Sequence, residues 1–291
     1  MRPPTGLPSV AAGLAPCGRP SRAFYGPRAG GILWSTLTEG TPSSVPALTI
    51  IHTADLHGDP HGIIQCAGSL KHRLPGALWL DSGDALKAPN VSLGITWERT
   101  LARMTREGCD AMAMGNREFE LLAPCHRLKL AQAGFPIIAT NLSHPRPRSS
   151  PVAREVRFRL ADGRRVRIWG ALRDMVPSVP AKLLTSYRFS PPLDVLRRRC
   201  ERAEWDDLLI LLSHLGGEED LSLLRRLPRL DLILGGHDHH SRLERNAGRA
   251  AVAPPPHGEA LAVIVLKPGS APDVRFCPPW KEDELVAEIA P

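Results

Sequence analysis

The chain has 291 residues, 43% hydrophobic and 23% charged, enough for one large packed domain or two modest ones. No stretch reaches the roughly 20 consecutive apolar residues that cross a bilayer, so no helical membrane span is expected. The net charge of +7 comes from Lys+Arg that are mostly Arg and lie in small scattered groups such as Arg197-Arg198-Arg199. That pattern reads as solvated basic faces, and no nucleic-acid partner is expected. The six cysteines form no CxxC pair, which argues against both a thiolate zinc site and a disulfide scaffold.

Residues 1–46 are rich in Pro, Gly, Ser and Arg without periodicity and read as a disordered leader or an over-extended start. Pro8 and Gly13 break the only apolar run there, and Pro16 spoils the resemblance of Leu14-Ala15-Pro16-Cys17 to a lipoprotein cleavage site. A cytoplasmic location is expected, with export to the periplasm or beyond the alternative if the leader is a degenerate signal.

Residues 47–291 read as a single domain. Leu48 to Thr53 is a buried strand running into Asp55 and His57, and Ala77 to Leu80 is a second running into Asp81 and Asp84. Thr96 to Glu107 has helical spacing at Trp97, Leu101 and Met104 and stops at Gly108. Ala111 to Met114 is a third strand, followed by Gly115-Asn116-Arg117-Glu118. Glu120 to Ala133 reads as a helix, and Ile137 to Thr140 as a fourth strand ending at Asn141. Strand alternating with helix implies parallel pairing, because parallel strands need crossovers.

Residues 142–151 carry three prolines and read as a loop. Arg157 to Leu160 and Arg165 to Ile168 alternate charge with hydrophobe about Asp162-Gly163, the pattern of a hairpin with one wet face. A helix from Pro191 to Trp205 precedes the apolar strand Leu208 to Leu212, which ends in Ser213-His214. A short helix, Leu221 to Leu227, leads to the strand from Leu232, whose glycine turn delivers His237 and His239. Beyond Ser241 come a proline-rich turn at Pro254 to Pro256, strands at Leu261 to Leu266 and Val274 to Phe276, and an acidic helix from Lys281 to Ile289. No second large domain is expected after residue 267.

Five strand ends thus present metal-binding side chains: Asp55 with His57, Asp84, Asn116, His214, and His237 with His239. The carboxyl ends of neighbouring strands in an open α/β sheet line one crevice, so these residues can converge. Two Asp, four His and one Asn suffice for two divalent ions, and a mixed N and O set suits Mn, Fe, Zn or Co better than calcium. Taken singly, each residue has an ordinary alternative: Asp55 an N-cap, Asp84 and Asn116 turn formers, His214 a buried structural histidine.

In their order and spacing these motifs resemble the calcineurin-like metallophosphoesterases, and among them the 5′-nucleotidase branch. The matching segments are Asp55-Leu56-His57, Gly83-Asp84, Gly115-Asn116, His214 before Leu215-Gly216, and Gly236-His237-Asp238-His239. The resemblance implies an α/β fold, a four-layer α-β-β-α sandwich of two mixed sheets. It also implies that Asp55, His57 and His239 hold one metal, that Asn116, His214 and His237 hold the other, and that Asp84 bridges them. A metal-bound hydroxide would then attack a small-molecule phosphate ester, with nucleotides among the substrates the resemblance implies.

Two departures stand out. The family places histidine after the asparagine, where it stabilises the transition state or protonates the leaving oxygen, and here Arg117 occupies that position. An arginine can hold an anionic oxygen but cannot donate a proton at neutral pH. The C-terminal domain that forms the nucleoside pocket of the 5′-nucleotidase branch is also not expected here. The alternative reading is therefore a pseudo-phosphoesterase, impaired by Arg117, that binds metal or anions without turnover. A metal-dependent nuclease is disfavoured by the lack of an aromatic-studded basic segment. Asn141 is a candidate substrate contact. His52 is expected to pack beside the site and His257 to approach it, whereas His61, His72, His126 and His144 are expected on the surface.

Overall fold

Apolar strand runs with no polar alternation must be covered on both faces, and that requirement sets the architecture. The structure, a computed structural model, describes residues 34–36, 47–89, 98–146, 150–176 and 178–289. One sheet has a parallel part made of β2 (Leu48–Thr53), β3 (Leu78–Asp81), β4 (Ala111–Ala113) and β5 (Ile137–Ile138). The crossovers carry α1 (Ile63–Arg73), α2 (Thr100–Arg106) and α3 (Ala123–Leu130). On the other side β14 (Leu261–Leu266) pairs antiparallel with β2, and β15 (Asp273–Cys277) follows it, giving the order β15-β14-β2-β3-β4-β5.

The second sheet contains β1 (Trp34–Thr36), β7 (Val156–Arg159), β8 (Arg165–Leu172), β10 (Asp207–His214), β11 (Leu232–Gly235), β12 (Arg242–Asn246) and β13 (Arg249–Ala253). Their order across the sheet is β1-β7-β8-β10-β11-β13-β12. A small ribbon pairs β6 (Leu142–Ser143) with β9 (Arg188–Phe189). The remaining helices are α4 (Val179–Leu184), α5 (Pro192–Glu201), α6 (Gly217–Arg226) and α7 (Glu282–Ile289).

Successive strand residues point to opposite faces, and the cores follow that rule. Ile50, Leu78 and Leu80 pack with Ile168, Ile210 and Leu234 between the sheets. Their neighbours Ile51 and Trp79 turn outward onto Ile63, Ala67 and Leu70 of α1. On the far side Trp169, Leu209 and Leu211 meet Leu196 of α5 and Leu223 of α6. The result is the four-layer α-β-β-α sandwich of two mixed sheets, and among the described residues no helix is long and apolar enough to cross a membrane.

Several elements differ from the sequence expectation. The helix α1 has no start signal in the sequence, because its N-cap, Gly62, has φ 75° and offers no side chain. Asp59 supplies the missing acceptor, taking the amide of Ile64 at 3.3 Å. The pair β12 and β13 is likewise absent from the sequence expectation; its turn is Ala247-Gly248, with φ 49° and 79°. The helix expected over Glu120 to Ala133 is limited to α3, with proline in its first turn. That expected from Thr96 is described from Thr100, and Trp97 lies outside the described residues. Within the expected leader, Trp34–Thr36 pairs parallel with β7, and the rest of residues 1–46 lies outside the described residues. Cys66, Cys109, Cys200 and Cys277 are buried and unpaired by disulfides.

Candidate metal centre

The loops that leave the parallel strands are bent sharply enough to need left-handed backbone. Asp55 (φ 51°), His57 (49°), Asp84 (56°), His237 (88°) and His239 (56°) all adopt it. Asp and His tolerate this region better than most residues, yet each such site costs on the order of 1–3 kcal/mol. Backbone bonds hold the bends: Asp55 N donates to Gly83 O and His57 N to Asp84 O, both at 3.0 Å. Gly115 is required by close approach, since a Cβ there would overlap the amide nitrogen and the carboxylate of Asp84.

These bends bring all seven expected ligands to one rim. His57 Nε2 lies 3.1 Å from His239 Nε2. Asp55 Oδ1 is 4.0 Å from the first and 3.7 Å from the second. Two imidazole nitrogens on one tetrahedral ion would be separated by about 3.3 Å, close to the spacing seen. Asp55, Asp84 and His214 form a second group of converging ligand atoms, with His214 Nε2 3.4 Å from Asp84 Oδ1. Asn116 Nδ2 is 3.3 Å from His237 Nδ1, and the rings of His214 and His237 are 4.9 Å apart. The carboxylate common to both groups is Asp55, whereas the resemblance gives the shared place to Asp84.

The donor set fits cations. Asn116 Oδ1 is buried with no hydrogen-bond partner among the described residues, an arrangement that ordinarily costs about 1–3 kcal/mol, and His214 Nε2 faces only Asp84 Oδ1, at 3.4 Å. His214 Nδ1 donates to Ser82 O at 2.8 Å, which leaves the lone pair on Nε2 facing the site. Burial, reinforced by the Arg117 charge, lowers His57 to about 4, and burial with the His214 charge lowers His237 to about 4, so both rings are neutral ligands at pH 7. Burial opposes ionisation of both Asp84 and His214, but each stabilises the other's charge. Asp84 falls to about 2 and His214 rises to about 9. In the metal-free cluster a proton on His214 thus does part of a cation's work.

Arg117 is fixed rather than swinging. Its Nη1 donates to Lys87 O at 3.1 Å and Ala88 O at 3.0 Å, and its backbone N donates to Asp84 Oδ1 at 2.8 Å. Its Nε sits 3.7 Å from Asp84 Oδ2. Glu118, fully buried, accepts amides from Asp84 and Gly115 at 2.9 Å and from Leu86 at 3.1 Å, and so clamps the two loops together. Ser82 ties the sheets, donating through Oγ to Leu234 O at 2.7 Å while His52 Nε2 contacts the same oxygen at 2.9 Å. The roles of Glu118 and Ser82 are not readable in the sequence, because the Asp84 and Leu86 amides and the Leu234 carbonyl that they reach lie in distant segments.

His257 does reach the site. Its amide donates to Asp55 O at 2.8 Å, and its ring lies 4.8 Å from His57 and 4.9 Å from His239. Asn141 has a different task from the expected substrate contact. Its Nδ2 donates to Leu172 O and Ser190 O, its Oδ1 accepts Leu172 N, and it staples β8 to the loops beside it. The expectation of a surface position fails for His126, which is fully buried and hydrogen-bonded to the Tyr187 hydroxyl at 2.9 Å. Phe119 packs edge-on against both rings and draws that turn of α3 inward.

Comparison with known proteins agrees with this geometry. A 5′-nucleotidase of Bos taurus is 25% identical over 243 residues, covering 72% of this chain and 40% of that protein. An apyrase of Aedes albopictus is 25% identical over 179 residues, covering 58% of this chain and 31% of that one. The chain therefore spans less than half the length of either relative. Among solved structures, the 5′-nucleotidase precursor of Thermus thermophilus superposes with a TM-score of 0.65 at 24% identity, over 83% of this chain and 57% of that one. The calcineurin-like phosphoesterase YfkN of Bacillus subtilis gives 0.60 at 17% identity, over 84% of this chain and 97% of that one. The family model for calcineurin-like phosphoesterases matches residues 48–241, the span that carries all seven converging side chains, and the chain belongs to that family.

Proposed function

We propose that the chain hydrolyses a phosphate ester, with nucleotides among the candidate substrates, at a centre of two divalent ions. The observation that carries this reading is the convergence of seven ligand-type side chains on one rim, with Asn116 Oδ1 buried and without a partner among the described residues and His214 Nε2 facing Asp84. Asp55, His57 and His239 would hold one ion and Asn116, His214 and His237 the other, with Asp84 or Asp55 between them. Bound there, the ions supply Lewis acidity toward the phosphoryl oxygens and lower the pKa of water. The names of the relatives, apyrase and 5′-nucleotidase, support a nucleotide as the substrate class.

The chain's own residues shape the reaction around those ions. Ser82 orients His214, and Glu118 fixes the loops of Asp84 and Asn116 so that the ligands need little reorganisation. Arg117, with Nη1 held by two carbonyls, is a stationary positive charge at the edge of the cleft. It stabilises an anionic phosphoryl oxygen but gives no proton to the leaving oxygen. Esters with good leaving groups are therefore the preferred substrates.

A second reading is favoured by one observation. The guanidinium of Arg117, held by two carbonyls and 3.7 Å from Asp84 Oδ2, stands where the family places its histidine, and at neutral pH it has no proton to give a leaving oxygen. In this reading the chain binds metal or anions and does not turn over. The deciding experiment is hydrolysis of an aryl phosphate, nucleoside monophosphates and cyclic dinucleotides with Mn²⁺, Zn²⁺ and Co²⁺, beside the Asp84→Asn variant. Turnover lost on Asp84→Asn supports the enzyme. No turnover by a wild-type chain whose metal content is full supports the second reading.

A further inference from the structure

A second charged concavity lies away from the rim just described. It is a cavity of about 500 Å³ between the helix-facing side of β7 and β8 and the outer turns of α5. Arg154, Arg157, Arg167, Arg198, Arg199 and Arg202 line it. Arg167 pairs across β8 and β10 with Leu209, whereas Leu172 pairs with His214. Five residues of strand, about 17 Å, thus separate the cavity from the metal centre.

Among the described lining residues one carboxylate, Glu155, faces these six arginines. It is already shared. Arg199 Nη1 donates to it at 2.8 Å, Arg157 Nε also donates, and Arg167 Nη1 lies 3.9 Å away. Trp169 Nε1 takes a further position at 2.9 Å. Outside the lining, Asp207 accepts Arg167 Nε at 2.6 Å but divides its charge with Arg165. Burial holds the Arg199 guanidinium below its ordinary value, and the neighbouring Arg154 and Arg157 push the same way against Glu155. Like charges gathered in a concave, partly buried place are a liability unless an anion completes them.

We propose that this arginine-walled cavity binds a small polyanion carrying two or more phosphoryl groups, at a site separate from the metal centre. Its volume is that of a small-molecule pocket, and guanidinium forks match phosphoryl oxygens two at a time. Among the described lining residues none carries an aromatic ring on which a base could stack, so the recognition proposed rests on the phosphoryl groups. Arg198 and Arg202 are solvent-exposed residues at the mouth. They contribute charge and a fork without supporting the core.

The test is calorimetric titration of the full chain in EDTA, which removes chelation at the metal centre from the readout, with tripolyphosphate and a nucleoside triphosphate as separate arms. Saturable binding to one site is expected in both arms, within a few-fold of each other, weakening as salt rises. The double variant Arg198→Gln, Arg202→Gln should lose at least about tenfold in affinity, since it removes two of the six guanidinium groups that line the cavity. The same variant should keep whatever Mn²⁺-dependent hydrolysis the wild type has. Absence of tripolyphosphate binding, binding of the nucleotide alone, or equal affinity in the variant would each overturn the proposal. Should the double variant not fold, Arg202→Gln alone is read in the same way, with a smaller loss expected.

Discussion

Arg117 and His214 are the two side chains whose charge decides how this centre behaves. Arg117→His removes a permanent cation from beside Asp84 and restores a group able to donate a proton. Tighter Mn²⁺ binding is expected, together with a gain of up to about 10²- to 10⁴-fold on esters with poor leaving groups and less on aryl esters. Slower turnover on every ester would defeat this account. His214 gives a pH dependence. Its pKa in the metal-free fold is raised to about 9 from the ordinary 6.5, so it stabilises that fold fully below pH 6.5 and loses the contribution as pH climbs through 9. Metal needs the neutral ring and displaces that proton, so the thermal stabilisation by Mn²⁺ should be larger at pH 8.5 than at pH 6. Melting curves at the two pH values, with and without Mn²⁺, measure it; an equal or reversed difference would contradict the exchange of proton for metal. The convergence of Asp55, His57, Asp84, Asn116, His214, His237 and His239 was legible in the sequence because each lies close behind or at the end of a strand. The clamp made by Glu118 and the tie made by Ser82 were not, since their bonds to the Asp84 loop and to Leu234 O join segments far apart in sequence.

At the scale of elements, legibility tracked where the signals sit. The parallel strands announced themselves because both of their faces are buried and their runs are almost wholly apolar. The helix α1 did not, since its start is capped by Asp59 from outside the helix and its N-cap is a left-handed glycine. The turn joining β12 and β13 was missed because Ala247 occupies a left-handed position usually held by Asn, Asp or Gly. That mismatch leaves room for improvement: Ala247→Asn should stabilise the chain by about 1 kcal/mol without touching metal binding. Chemical denaturation measures it, and an unchanged or lower midpoint would mean that the strain is relieved elsewhere. Gly115→Ala should do the opposite. With no space for a Cβ between β4 and the Asp84 loop, it should displace Asp84 and weaken metal binding while the sheets stay paired.

For the molecule as a whole, an ion bound in the proposed centre would work as a clasp. Asp55, His57, Asp84 and Asn116 hang from one sheet and His214, His237 and His239 from the other, so an ion held by both groups joins the two halves of the sandwich. Described bonds that also link the sheets here are those of Ser82, through Leu234 O and His214, of the His237 amide on Asp55 at 2.9 Å, and of Asn141 with Leu172. The four-layer order was legible only through the family resemblance, because periodicity marks which strands are buried and says nothing of which sheet each joins. A clasp of this kind couples metal binding to global stability. At a free metal concentration near 100 times the Kd, linkage adds about 2.7 kcal/mol, which for a domain of this size is a rise in Tm of roughly 5–10 °C. EDTA should remove the whole increment, and Asp84→Asn should abolish most of it, measured against that variant's own metal-free Tm, which the loss of the Asp84–His214 pair lowers. If Mn²⁺ and EDTA leave Tm unchanged in the wild type, the seven side chains converge without holding an ion between the sheets, and the catalytic reading falls with the clasp.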